Sequence, residues 1–160
     1  MATTASAPTF VLWANVITST LLRAGVKLVG PRHAPMYLLT VPGRKSGQPR
    51  TTPIVLVEQE GTRYLFAPFG TVDWVRNLRA AGEAILTRGR RAQTVRTTEL
   101  PNSEASLALQ ALIESGHPLG RSFGVSKGAP REAFDQLAIS HPVFAVQTVA
   151  APDAAAARQD

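Results

Sequence analysis

Gly43-Arg44-Lys45-Ser46-Gly47-Gln48-Pro49-Arg50 stands between two runs that read as β-strands, Met36 to Val41 and Thr51 to Gln59. The loop places three cations and a hydroxyl within seven residues and sets a glycine on each side of Arg44-Lys45-Ser46. Glycine reaches φ > 0 without a Cβ clash, so such a turn can aim successive backbone N–H groups into one concavity. Guanidinium and ammonium groups beside those donors make a site for a phosphate or a carboxylate. No nucleophile paired with a base stands out elsewhere. A chain that grips an anionic tail without catalytic groups of its own takes its chemistry from a cofactor.

The segments around the loop set the fold class. Ile54-Val55-Leu56-Val57 is an unbroken apolar run, the pattern of a strand buried on both faces. Pro53 at its start predicts an edge or a bulge. Glu60-Gly61 turns the chain, and Arg63 to Ala67 returns as the partner strand. Pro68-Phe69-Gly70 breaks that strand. Thr71 or Asp73 then caps a short helix to Ala81, which Gly82 stops. Ala84 to Thr87 and Ala92 to Thr98 pair around Arg88-Gly89-Arg90. Helices are expected over Ser103 to Ser115, with Ser103 as its cap and Glu104 in the first turn, and over Pro130 to Ile139. Gly116 to Gly128 has no period, and Val143 to Val149 is a last strand. About six strands, mostly hairpin-linked, exclude an alternating βαβ sheet. The expected class is α+β with a mainly β core, a small antiparallel barrel with helical insertions.

The 160 residues divide into three parts: 1–34, with an amphipathic helix from Thr9 to Val29; a core domain, 35–149; and a disordered tail, 150–160. In the helix Asn15, Ser19, Arg23 and Lys27 form a polar stripe opposite Val16, Ile17, Leu21, Leu22 and Val26. Two readings stand, a helix packed on the core and a helix resting on a membrane as a peripheral contact. The apolar stretch is too short and polar for a membrane span, and no clean cleavage site follows it, so a cytoplasmic protein is expected. Net charge is +6, and six cations precede the first acid, Glu58. That asymmetry points to an anionic partner. Cysteine is absent, which excludes disulfides, thiolate catalysis and Cys-ligated metals. His33, His117 and His141 lack metal-ligand spacing, so no metal is expected. His117-Pro118 and His141-Pro142 read as structural turns. A nucleic-acid role needs cations interleaved with exposed aromatics, a pattern missing here.

The loop is not a P-loop, because Gln48-Pro49 follows Gly47, and no Gly-x-Gly-x-x-Gly follows a strand. The second constellation is Asp73-Trp74-Val75-Arg76-Asn77-Leu78. Trp74 offers a flat wall and Asn77 directional polar atoms one turn on, a mix that holds ring-shaped ligands. The same pattern also fits a helix anchored in the core by Trp74 and Leu78.

The stretch Leu39 to Pro53, with Gly-Arg-Lys-Ser-Gly-x-x-Arg-x-x-Pro at its centre, and the helix Trp74-Val75-Arg76-Asn77-Leu78-Arg79-Ala80 resemble the deazaflavin (F420)-dependent nitroreductase family of the flavin/deazaflavin oxidoreductases. The hairpin Ile85 to Val95 and His141-Pro142-Val143-Phe144 are also similar. The resemblance implies a split β-barrel and coenzyme F420, a deazaflavin with a phosphate and an oligoglutamate tail, ahead of FMN. It implies that Arg44, Lys45, Ser46 and Arg50 bind the phosphate and tail and that Thr51, Thr52 and Pro53 line the ring. Ala67, Pro68, Phe69 and Gly70 would run beside the ring, and Trp74, Arg76 and Asn77 would complete the site. No catalytic side chain is implied. The expected activity is hydride transfer to a small hydrophobic acceptor: a quinone, an activated alkene or a nitroaromatic. The alternative is a non-enzymatic F420, flavin or lipid binder on the same fold. Pro68 departs from the small or hydroxyl residue common in the family. The tyrosines of some relatives' substrate pockets have no match in Gly116 to Gly128, where Ser122 and Phe123 are the nearest substitutes.

Overall fold

The computed structural model describes residues 35–149. The expected N-terminal helix, His33 and the tail from Ala150 lie outside them. Six strands and three α-helices follow in the order β1 (Met36–Pro42), β2 (Pro49–Gln59), β3 (Thr62–Phe66), α1 (Asp73–Ala81), β4 (Glu83–Arg88), β5 (Arg91–Glu99), α2 (Asn102–Glu114), a 3₁₀ turn (Pro118–Phe123), α3 (Arg131–Ser140) and β6 (Val143–Thr148). The strands close into a barrel in the order β1-β2-β3-β6-β5-β4, every pair antiparallel. The expected mainly β, α+β barrel is the observed one.

Strand alternation fills the barrel. Leu39 and Val41, Ile54 and Leu56, and Ala84 and Leu86 point inward and meet Phe144 and Val146. Each fully buried side chain of this size contributes roughly 1.5–3 kcal/mol. The opposite face of β2 is apolar for a second reason. Val57 joins Phe66, Val143 and the α2 and α3 residues Leu109, Leu112, Phe134 and Leu137 in an outer core. A strand covered on both sides must be apolar on both, which explains the unbroken run in β2.

β2 changes neighbours along its length. It pairs with β1 from Pro49 to Val55 and with β3 from Leu56 to Gln59. Over its first half β1 is its one ladder partner, so Pro53 sits at a locally open edge, where a missing N–H costs nothing. The barrel wall splits there.

Helix α1 lies against the barrel end through Val75 and Leu78, which are fully buried. Gly82 ends it in the left-handed region, φ 68°, and its N–H donates to the Leu78 carbonyl at 2.8 Å. Neither Thr71 nor Asp73 caps the other end. Val72 holds the N-cap position in extended backbone and makes no side-chain cap bond. Asp73 instead places its charge in the first turn, where it meets the helix dipole. Ser103 likewise is not a cap, since α2 starts one residue earlier behind Pro101.

Helices α2 and α3 are tied by polar contacts as well as by the outer core. Buried Ser106 donates to Asp135 Oδ1 at 2.5 Å, and Arg131 Nε donates to the same oxygen at 3.0 Å. The Ser106 hydroxyl first, then Arg131, holds the Asp135 carboxyl below its ordinary range. A carboxyl with a depressed folded pKa stabilises the fold above its unfolded pKa, and that contribution is lost as pH falls through the folded value. Ser106→Ala should therefore return the Asp135 pKa toward the usual carboxylate value. An NMR pH titration of the Asp135 carboxyl carbon checks this, and an unmoved midpoint would contradict it.

Candidate functional site

The β1–β2 loop is closed on itself. The Gly43 N–H donates to the Gln48 carbonyl at 2.7 Å, the Gly47 N–H to the Gly43 carbonyl at 2.8 Å, and the Gln48 N–H to Ser46 Oγ at 3.2 Å. Gly47 takes φ 69°, the left-handed conformation that the turn needs. A Cβ on Gly43 would stand 3.1 Å from the Gln48 carbonyl oxygen, tighter than most side chains come, so the closure favours glycine there as well. This corrects one expectation. The amides of Gly43, Gly47 and Gln48 are consumed inside the loop and are not offered to a ligand.

Asn77 of α1 fixes the fourth amide. Its Oδ1 accepts from the Arg44 backbone N–H at 3.1 Å and from Arg44 Nη1 at 3.0 Å. Asn77 is 5% exposed, so one buried oxygen sets both the main chain and the side chain of Arg44. The Arg44 guanidinium also reaches Asp73 Oδ1, 3.3 Å from both Nη1 and Nη2. Arg76 Nη1 is 3.4 Å from that oxygen.

These groups border a cavity of about 730 Å³. Arg44, Lys45, Ser46 and Arg50 line its loop side, Thr51 and Thr52 the β2 side, and Asp73, Trp74 and Asn77 the α1 side. Thr51 Oγ1 lies 2.9 Å from Thr40 Oγ1, which orients that wall. A second cleft, about 380 Å³, opens where β2 lacks a second neighbour. Thr52, Pro53 and Val55 form one side and Phe66, Pro68 and Phe69 the other. Thr52 and Trp74 line both spaces, so the cationic cavity and the apolar cleft adjoin. The Trp74 ring lies 6.1 Å from Phe144, tilted 53°, and is backed by the barrel core. Phe69 is 84% exposed, an uncovered aromatic at the cleft mouth.

The structure thus gathers Arg44, Lys45, Ser46, Arg50, Thr51, Thr52, Pro53, Pro68, Phe69, Trp74 and Asn77 around two joined spaces. Ala67, Gly70 and Arg76 line neither. Ala67 is buried, its N–H donating to the Pro142 carbonyl at 3.1 Å. Gly70 turns the chain at φ 73°, and Arg76 stands outside the cavity on Asp73. Leu119 of the 3₁₀ turn lines the cleft, whereas Phe123 belongs to the outer core beside His141. His117 caps that turn, its Nδ1 accepting from the Leu119 N–H at 3.1 Å, and lines neither space. Among the described residues no cluster of His, Asp or Glu is placed to hold a metal, and no helix is long and apolar enough to cross a membrane. Sequence reading treated Asp73 as a cap and passed over Met36, Val72 and Leu119. Only the folded chain brings those three to one cleft.

A family model described as F420H(2)-dependent quinone reductase matches residues 13–117. Among solved structures, one described as a domain-swapped dimer is 23% identical with a TM-score of 0.52, over 88% of this chain and 100% of that one. A structure of an F420-H2-dependent reductase, FDR-A, is 23% identical with a TM-score of 0.50, over 71% of this chain and 94% of that one. At these identities the structures share the fold. Among curated proteins none matches the chain.

Asn77 joins loop to helix, so Asn77→Ala should lower unfolding stability by about 1 kcal/mol, the net worth of the part-buried hydrogen bonds it removes. In the same variant the Arg44 amide should lose protection in hydrogen exchange. Unchanged protection would show that the loop holds its shape without α1.

Proposed function

This chain belongs to the F420H(2)-dependent quinone reductase family, and we propose that it reduces a small hydrophobic acceptor, a quinone foremost, in the apolar cleft beside its basic loop. It is an F420-dependent reductase. The supporting observation is the junction of the two spaces at Thr52 and Trp74. A cofactor with a polyanionic tail and an apolar ring needs a cationic chamber that runs into a greasy one, and the donor set fits that need.

When bound and reduced, the deazaflavin supplies a hydride at its ring C5. Arg44, Lys45, Ser46 and Arg50 hold the phosphate and the glutamate tail. Asn77 keeps the Arg44 fork aimed into the cavity. Thr51, Thr52 and Pro53 line the ring on the β2 side, with Pro68 and Phe69 opposite and Trp74 between the two spaces. Arg76 stands outside the cavity, its charge paired with Asp73 at the rim. Val55, Phe66 and Phe69 exclude water and leave an apolar surface against which a planar acceptor lies. Thr52 carries the one hydroxyl among the residues lining the cleft and, with solvent at its mouth, is the local route for a proton. A quinone suits this wall because it is flat, apolar and electron-poor. Activated alkenes and nitroaromatics are electron-poor as well. FMN has a single phosphate and no glutamate tail, so it would leave part of the cationic chamber unpaired. Residues 1–34 carry the further proposal of peripheral membrane contact. Anionic vesicles should float the full chain but not one lacking residues 1–30.

Arg44→Ala combined with Lys45→Ala should raise the Kd for F420 at least about 100-fold, the loss expected for two charge-assisted contacts. Deazaflavin fluorescence reads the titration. Unchanged affinity would remove the loop from the site. Reduced F420 should be oxidised fastest by the quinone in a panel of quinone, activated alkene and nitroaromatic. Saturable binding with no oxidation across the panel would return the binder alternative.

A further inference from the structure

We infer that Asp73 is a resident stand-in for the ligand's anion, a carboxylate that occupies Arg44 and Arg76 and must release Arg44 before a phosphate seats. This rests on the reading of the basic loop as the phosphate and tail site. Arg44 has two partners of different kinds. Asn77 is buried and takes short bonds of 3.0 and 3.1 Å. Asp73 has a side chain 77% exposed, and a single oxygen receives both Arg44 nitrogens at 3.3 Å and Arg76 at 3.4 Å.

That contact is poor by this chain's own standard. Arg79 and Glu99 form a two-oxygen fork at 2.7 and 2.6 Å. Charge-assisted bonds of full strength fall near that range, and a pair this exposed adds little to stability. Arg44 is therefore fixed from below by a neutral amide and only loosely occupied from the solvent side. A phosphate offers the guanidinium a separate oxygen for each nitrogen, which Asp73 does not. Asp73 also lines the cavity, so its charge opposes any anion that enters. It sets a threshold that a phosphate with two free oxygens and a polyanionic tail passes and a lone carboxylate does not, and it speeds release.

Asp73→Asn and Asp73→Ala test this, the first keeping the shape and an acceptor oxygen. Each should bind F420 about threefold to tenfold more tightly than wild type at low salt, with the gain shrinking near 0.5 M salt as the charges are screened. Binding of the deazaflavin chromophore without its phosphate should not change. Thermal melts confirm that both variants are folded. Inorganic pyrophosphate, followed by calorimetry, is the second probe. If F420 binds wild type and neither variant tightens it, or either weakens it, Asp73 positions Arg44 and this inference falls alone. If F420 does not bind but pyrophosphate binds the variants more tightly, the inference stands and the assignment of the cofactor site falls. If neither probe binds, both fall.

Discussion

The Asn77 carboxamide oxygen takes two hydrogen bonds from one residue, the amide and the guanidinium of Arg44. Those bonds decide where the whole basic loop stands. The loop is rigid within itself, closed by Gly43, Gly47 and Gln48, but its internal bonds say nothing about its angle to the barrel. Asn77 supplies that angle, because α1 is held independently. Val75 and Leu78 sink into the barrel end and Gly82 finishes the helix cleanly. A polar atom buried to this extent is costly without partners. Arg44 satisfies it, and the loop is thereby docked.

A second constraint is the change of partner along β2. A strand that passes from β1 to β3 must leave one edge open for part of its length. Pro53 tolerates that position, and the apolar residues around it stay partly uncovered. The resulting cleft needs a floor, which Trp74 provides because Phe144 backs its ring. One helix thus contributes to both spaces, Asn77 to the charged one and Trp74 to the apolar one. A ligand with a charged end and a flat end is matched by a site whose two halves share a wall. The ion pairs at the mouth are exposed and exchange easily, whereas the parts that must not move are buried.

Much of this was legible in the chain. Hairpin spacing and the absence of βαβ alternation were enough for an antiparallel barrel. The double-faced burial of β2 followed from its unbroken apolar run. Gly43 and Gly47 marked a tight turn that favours glycine, and the clustered cations marked its role. What the chain did not disclose depends on distance in three dimensions. Asp73 read as a helix cap because composition cannot tell a cap from a first-turn charge, and its partner Arg44 lies 29 residues away. Leu119 carries no local signal of its place in the cleft, while Phe123, the more conspicuous residue, went to the core. The Gly43, Gly47 and Gln48 amides looked available in sequence and are consumed in the fold.

The most direct test of the account is an NMR titration of the isotope-labelled full chain with oxidised F420. The account predicts that the largest shifts fall on Gly43 to Arg50, the Trp74 indole and the Asn77 side-chain amide, and continue to Phe69. Arg63, Gln93 and Thr148, which bond to one another on β3, β5 and β6 away from the loop, should not move. Shifts concentrated there, with the Arg44 and Asn77 signals unmoved at saturation, would contradict it.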